Sequence, residues 1–430
     1  MTRLKLHWQI LIAIVLAAFV GWIGGSDPAV FGLPLVPAYD FVGTLFINAL
    51  KMLIVPLIMS SIIVGVAGIG SSGDLGRLGG KTLVYYMASS LLAILVGLVL
   101  VNLTQPGIVG GEPARDLLAL EADSGAVAEK VGGAGVGALA EIFLRMVPTN
   151  VISAAAEGQM LGLIFFSLLF GFFLTRVNHD TAETLYNFWD AVYRVMLRMT
   201  EWIMLFAPLG VFGLVAKTVA STGFDAAGPL VIFALTVLAA LAIHALVTLP
   251  MLLRLFARVR PYRLFDAMAP ALMTAFSTAS SSATLPITME SLEKNAGVSN
   301  RTSSFVLPLG ATINMDGTAL YECVAAMFIA QAYGLELSFG VQFTIVVTAL
   351  ITSVGVAGIP SASLVAIAIV LTAVGLPVEA LGVLFVFDRI LDMCRTSVNV
   401  FGDSCGAVIV ARSEGEEGVL GETTALRRSA

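Results

Sequence analysis

Long apolar stretches broken by short polar loops dominate the chain. A helix that crosses a bilayer needs about 20 consecutive apolar residues. Runs of that order lie at 8–25, 40–69, 82–104, 136–175, 187–221, 226–257, 299–329 and 377–411. The fourth exceeds one crossing, and Pro148 and Gly158 predict a break in it. Two further stretches, 264–292 and 340–373, are apolar but interrupted by small polar residues and prolines, and they read poorly as simple spans. The first run, Ile10 to Ile23 behind Arg3 and Lys5, resembles a signal peptide. It has no clear small-x-small cleavage pattern and reads as a retained first helix.

Basic residues orient this layout, because Lys and Arg favour cytoplasmic loops. Arg3 and Lys5 place the N-terminus inside, and the loop near Asp27 and Asp40 lies outside. Arg77, Lys81, Arg176, Arg254, Arg258, Arg260 and Arg263 fall inside; the acidic segment 105–135 and the loop at Asp225 fall outside. A full span at 264–292 would put Arg301 outside and invert every later assignment. If that stretch enters and leaves on the cytoplasmic face, and 340–373 does so on the external face, then Arg301, Arg412, Arg427 and Arg428 all end inside. The fold class expected is therefore all-α integral membrane: eight transmembrane helices plus two opposed re-entrant helical hairpins, paired with 299–329 and 377–411 as inverted repeats. Non-helical backbone at membrane depth persists only where it lines an enclosed cavity, and broken segments in corresponding halves point to a midplane site.

Composition agrees. Of 430 residues, 58% are hydrophobic and 12% charged, against about 25% charged in soluble domains, and the mean hydropathy is +0.95. The net charge of -6 is small and says nothing of nucleic acid; with no basic tract and no base-stacking module, no nucleic-acid partner is expected. Cys323, Cys394 and Cys405 fit no metal or disulfide spacing and read as small core residues. Segment 105–135 and the tail 413–430, Gly/Ala-rich or charged, are expected to be mobile.

Three constellations carry chemistry. The first hairpin tip holds Ser280, Ser281 and Ser282, with Pro286 suited to the start of the returning helix; a helix N-terminus there would attract a carboxylate. Asn314-Met315-Asp316-Gly317-Thr318 lies inside the seventh span. With Gly317 as helix breaker, it would form an oxygen-rich nest for a hard monovalent cation. In the eighth span Asp388, Asp392, Arg395, Asn399 and Asp403 step by 4, 3, 4 and 4, one stripe of an α-helix, beside Arg389 and Thr396. A charge at the bilayer centre costs about 2.5–3.5 kcal/mol on the mildest scale, so Asp392 to Asn399 must face protein. The second hairpin tip, Gly355 to Ser363, offers flexible backbone that could close over a ligand. A polar kink at Asn314 and a purely structural Asp392–Arg395 pair are the plainer alternatives.

With SSSATLP, NMDGTALYE and DRILDMCRTSVNVFGDSCGA, the chain resembles the glutamate transporter family of dicarboxylate/amino acid:cation symporters from end to end. The resemblance implies a homotrimer in the cell (inner) membrane, multi-pass, with both termini cytoplasmic and an elevator mechanism. Its domains would be scaffold spans 1–2 (1–79), span 3 with an external loop (80–135, span 3 joining the transport domain), scaffold spans 4–5 (136–225), the transport core (226–412) and the tail (413–430). It assigns the substrate amino group to Asp392, its side-chain carboxylate to Arg395 with Thr318, and its α-carboxylate to Asn399 with Ser281 and Ser282; Ser280, Gly358 and Thr396 complete the pocket. One sodium ion would use Gly310, Asn314, Asn399 and Asp403. A second would use Tyr86, Ser89, Ser90, Asn314 and Asp316, and a third Thr312 with the backbone of Ser353, Val354 and Val356. No organic cofactor is implied; sodium is the coupling ion, with Glu322 a candidate proton carrier.

Three departures stand out. Relatives usually place an arginine at the position of Ala279 or of Met393, which leaves this pocket one positive charge short. Glu322 is present, as in proton-coupled relatives, and Ser361 and Ser363 replace glycines of the second hairpin. An acidic amino acid is the expected substrate and a C4-dicarboxylate the alternative; the chain is expected not to be an enzyme. Gly402-Asp403-Ser404-Cys405-Gly406 looks like a hydrolase nucleophile loop, but it needs a base. His7 and His179 lie at span ends, and His244 is alone on an apolar helix. Re-entrant loops also line channels; one amphoteric pocket favours a carrier.

Overall fold

The computed structural model describes residues 6–24, 29–30, 33–69, 75–120, 125, 127, 144, 147–157, 160–222, 227–335, 337–353 and 362–421. The chain is helical almost throughout. Its only strands among these residues are two antiparallel pairs of two residues each, β1–β2 at 29–34 and β3–β4 at 108–113. The helices are α1 (Leu6–Gly24), α2 (Leu35–Ile69), α3 (Leu75–Thr104), α4 (Val151–Ala156), α5 (Met160–Leu174), α6 (His179–Met204) and α7 (Ala207–Thr222). Then come α8 (Ala227–Ala257), α9 (Tyr262–Thr278), α10 (Ser281–Ala296), α11 (Asn300–Ile313), α12 (Asp316–Ala332), α13 (Phe339–Ser353), α14 (Ala362–Val374) and α15 (Phe385–Ser413). Arg77–Thr104 within α3 and Ala227–Ala257 are long and apolar enough, at 28 and 31 residues, to cross a membrane as single helices.

Packing falls into two groups. Helices α1, α2, α5, α6 and α7 pack mainly on one another; α3 and α8 to α15 do the same, with α12 and α15 at the centre of the second group. Every residue of α12 is buried, including Asp316 and Glu322. A helix with no exposed face shows no amphipathic stripe, which is why its polar residues stand out against the run of Ala, Val and Phe around them.

The 264–292 stretch is two helices, α9 and α10, meeting at Ala279 and Ser280. Ala279 adopts a left-handed conformation (φ 50, ψ 39), costing an L-residue about 1–2 kcal/mol, and Ser280 caps α10 by accepting from the Ala283 amide. The returning helix starts at Ser281, so Pro286 lies inside it rather than at its start. Lacking an N–H, Pro286 leaves the Ser282 carbonyl without its helical donor. In the second hairpin, α13 and α14 pack together, while its tip at 354–361, including Val354, Val356, Gly358 and Ser361, lies outside the described residues. The chain enters α15 from α14 through the short 3-10 helix Val378–Leu384. The open end of the second hairpin therefore sits at the N-terminal end of α15. The open end of the first lies at the other end of that helix, where the Leu420 amide donates to the Ala296 carbonyl at 2.9 Å.

That contact corrects the expectation of a mobile tail for residues up to 421. Glu416 accepts from the Ser299 amide and hydroxyl at 2.8 and 2.6 Å and from the Thr302 hydroxyl at 2.5 Å, while Arg77 and Lys81 of α3 pair with Glu414 at 2.5 and 2.6 Å. Partial burial pushes the Glu416 carboxyl up, but hydrogen bonds from Ser299 and Thr302 outweigh it, so it lies below its usual value. Segment 105–120 is likewise ordered: Ala114, Leu118 and Leu120 are buried, and the Gly107 amide donates to Gln331 on α12 at 3.2 Å. A Cβ at Gly107 would lie 2.6 Å from the Phe328 carbonyl, so this turn seats against the helix only with glycine there.

Candidate functional site

The chain unwinds between α11 and α12. Asn314 (φ -103, ψ 92) and Met315 (φ -118, ψ 60) leave the helical region, and α12 restarts at Asp316. Gly317 is thus not the breaker; it sits in the first turn of α12, where α15 crosses closely. A Cβ on it would meet the Arg395 carbonyl at 2.8 Å, and its amide donates to Asn399 Oδ1 at 2.8 Å.

The α15 stripe turns inward as its spacing predicts: Asp388, Arg389, Asp392, Arg395, Thr396, Asn399 and Asp403 are all buried. Arg395 Nη2 donates to Asp388 Oδ1 at 3.0 Å and to Asp392 Oδ1 at 2.9 Å, and its guanidinium stacks 3.8 Å over the Tyr321 ring. Its Nε and Nη1 are buried with no hydrogen-bond partner among the described residues, so the group keeps donor capacity for a further acceptor. Arg389 corrects the expected shortage of positive charge. It is buried one turn before Asp392, with Nη1 3.8 Å from Asp392 Oδ2. Asp392 therefore lies between two guanidinium groups, and Asp388, Arg389, Asp392 and Arg395 balance formally. Asn399 Nδ2 donates to Thr318 Oγ1 at 3.1 Å, and Thr396 Oγ1 to the Asp392 carbonyl at 2.8 Å.

One turn beyond Asn399, Asp403 of α15 and Asp316 at the start of α12 lack this balance. Asp316 accepts from Ser90 at 2.8 Å and from Ser89, and Asp403 accepts from Asn314 Nδ2 at 2.9 Å. Their exposures are 0% and 3%, and among the described residues neither has a Lys or Arg within salt-bridge distance. Buried charge without a counter-charge is expensive, so a cation among them would relieve a cost already present in the fold. The oxygens around them fit such an ion. Asn314 Oδ1 is buried and has no partner among the described residues; a Cβ on Gly310 would fall 2.5 Å from Asp403 Oδ1 and 2.6 Å from the Tyr86 hydroxyl, and one on Gly402 2.7 Å from Asp316 Oδ2. Tyr86 itself donates to the Val306 carbonyl at 2.8 Å. Among the described residues no three His, Cys, Asp or Glu side chains gather as a transition-metal site would require. Neutral and anionic oxygens suit a hard cation.

Other expected residues stand further apart. Ser280 and Ser281 are buried at the α10 N-terminus and Ser282 is exposed. Thr312 donates to Leu309 and Ser353 to Leu350, each within its own helix; their partners Val354 and Val356 are outside the described residues. Glu322 is fully buried, with Oε2 2.6 Å from Thr352 Oγ1 and Oε1 without a partner among the described residues. His244, dismissed from sequence as alone on an apolar helix, is not alone. Its Nε2 lies 3.2 Å from Asp316 Oδ2.

Residues 6–413 match the sodium:dicarboxylate symporter family. The chain belongs to that family. It is 37% identical over 418 residues to the Escherichia coli proton/glutamate-aspartate symporter, covering 96% of this chain and 93% of the relative. It is 35% identical over 417 residues to the Geobacillus stearothermophilus proton/sodium-glutamate symport protein, covering 97% and 96%. It is 35% identical over 458 residues to mouse excitatory amino acid transporter 3, covering 96% and 87%. As a member of a symporter family the chain is a membrane transport protein and not an enzyme, and the Gly402–Gly406 segment is part of the buried α15 stripe rather than a nucleophile loop.

Proposed function

We propose that this protein is a secondary active symporter that carries aspartate or glutamate across the cell membrane with cations. One observation supports the reading above the others: a buried Asp392–Arg395 pair in which Arg395 retains unpaired donors. An amino acid presents an ammonium for Asp392 and carboxylates for Arg395, and arginine suits a planar carboxylate. The side-chain carboxylate goes to Arg395 with Thr318. The α-carboxylate goes to Asn399 and the N-terminus of α10 at Ser281 and Ser282, whose orphan amides and dipole favour an anion. Ser280 shapes that turn, Thr396 lines the pocket, and the second hairpin tip with Gly358 closes it. A C4-dicarboxylate has no ammonium to pair with Asp392 and would leave that carboxylate uncompensated, which disfavours that substrate.

Two cation sites follow from the uncompensated carboxylates: Gly310, Asn314, Asn399 and Asp403 for one ion, Tyr86, Ser89, Ser90, Asn314 and Asp316 for another. Thr312, Ser353, Val354 and Val356 form a third. Sodium is the coupling ion there, and Glu322 carries a proton. Hydrogen-bond accounting supports the proton: Thr352 Oγ1 has one hydrogen, yet lies 2.6 Å from Glu322 Oε2 and 2.8 Å from the Thr348 carbonyl. A protonated Glu322 donating to Thr352, which donates onward to Thr348, satisfies both oxygens.

The architecture in this reading is eight spans with two opposed re-entrant hairpins, both termini cytoplasmic. The group of α1, α2, α5, α6 and α7 forms the scaffold of a homotrimer, and α3 with α8 to α15 the mobile transport unit. The sparse packing between the groups suits a sliding boundary.

A ligand panel tests the substrate. In sodium, purified protein is expected to bind aspartate and glutamate, while succinate and asparagine compete at least about thirtyfold less well, since each lacks one charged group whose pairing is worth about 2–5 kcal/mol. Succinate binding as tightly as aspartate would remove Asp392 from its role and support the dicarboxylate alternative.

A further inference from the structure

Helix α8 carries a feature that its apolar sequence hides. From His244 to Thr248 it winds as a π-helix, and such single-turn bulges often mark functional positions. The extra residue in the turn changes which face the following side chains occupy. His244 is fully buried at the start of this bulge, with its Nε2 3.2 Å from Asp316 Oδ2 and neither side chain exposed.

Three groups thus approach the Asp316 carboxylate among the described residues: Ser89 and His244 at Oδ2, Ser90 at Oδ1. They differ in kind. A serine hydroxyl hydrogen rotates to suit its surroundings, and both serines belong to the oxygen set assigned above to a cation. The imidazole N–H is fixed in the ring plane. With Asp316 ionised, its oxygens only accept, so Nε2 carries the hydrogen. The neutral ring then leaves Nδ1 as a bare acceptor, consistent with its lack of a partner among the described residues; a charged ring would strand a buried N–H donor instead, at greater cost. An Nε2 that donates to Asp316 has no lone pair to offer, and a hard cation prefers oxygen. The imidazole is therefore not a ligand.

We infer that His244 is a positioning residue for the cation site: its Nε2–H fixes the orientation of the Asp316 carboxylate, so that Asp316 meets the ion already aligned. The inference rests on the reading of Asp316 as a cation ligand. Outer-shell partners of ligating groups typically change ion affinity by about 10- to 100-fold when removed.

The test is sodium binding to the purified full-length protein, read as the sodium concentration that half-saturates its thermal stabilisation, with no amino acid present. Variants are His244→Leu, His244→Gln, His244→Asn and Asp316→Asn. Glutamine places an amide nitrogen near the position of Nε2; asparagine is too short to reach. His244→Leu and His244→Asn are expected to raise the half-saturating sodium concentration by about 10- to 100-fold, with His244→Gln within a few-fold of wild type. Should His244→Leu fail to fold, the Gln and Asn pair alone decides the matter. Equal sodium response in His244→Asn, His244→Gln and wild type, with Asp316→Asn impaired, overturns the role of His244 and leaves the cation site intact. An unimpaired Asp316→Asn overturns the cation-site reading itself, and this inference with it.

Discussion

Replacing Arg395 by cysteine abolishes measurable binding of aspartate and glutamate. Arg395 is completely buried, donates to both Asp388 and Asp392, and lies over Tyr321. Removing it takes away the cation that would hold the substrate side-chain carboxylate and leaves Arg389, among the described residues, as the only positive charge near two buried aspartates. Truncating one member of a buried, hydrogen-bonded charge pair costs about 2–5 kcal/mol, at least about thirtyfold in affinity. The carboxylates of Asp388 and Asp392 add to that cost by repelling the incoming side-chain carboxylate. Lysine should not rescue, since a point charge on a flexible stem does not reproduce a stacked planar group. A neutral side chain at 395 would instead admit serine or alanine, which bring no side-chain carboxylate. Calorimetric titration of the variant with aspartate, glutamate and serine checks this, and unchanged aspartate affinity would contradict it.

The second large effect concerns Asp316. Substitution by asparagine keeps the volume and removes the charge. In place of one carboxylate oxygen it puts an NH2 group beside Ser89 and Ser90, which donate to that carboxylate in the native protein, and His244, whose Nε2 lies 3.2 Å from it. The sodium requirement for aspartate binding should rise by more than about a hundredfold, beyond the range of an outer-shell change. Because ion and substrate binding are linked reciprocally, aspartate affinity at fixed sodium should fall as well. A sodium titration of aspartate binding in Asp316→Asn that overlays wild type would refute the assignment.

Much of the site could be read from sequence because it follows helical arithmetic. The 4, 3, 4, 4 stepping of Asp388 to Asp403 placed those residues on one stripe, and burial of all five follows from the cost of charge in lipid. The interruption at Asn314 was legible for the same reason, as polarity in an apolar run. What failed depended on contacts distant in sequence or on local backbone geometry. Gly317 looked like a breaker, yet its reason for being glycine is the backbone of α15 beside it. His244 sits 72 residues from Asp316, at the start of a π turn, and only the packing of α8 against α12 brings the two together. Arg389 could be counted but not placed, because its approach to Asp392 depends on how the start of α15 is packed. The tail looked mobile because its charges are dense; their partners Arg77, Lys81 and Ser299 belong to other helices.

The central claim is that one amphoteric, buried pocket couples an acidic amino acid to a cation gradient. Uptake of labelled aspartate into proteoliposomes, with a sodium gradient and a proton gradient imposed separately and together, tests it most directly. The account predicts saturable uptake above equilibrium that collapses when the gradients are dissipated, fastest with both imposed, and blocked by glutamate but not by succinate. Aspartate entry that only equilibrates, whatever gradient is applied, would contradict it.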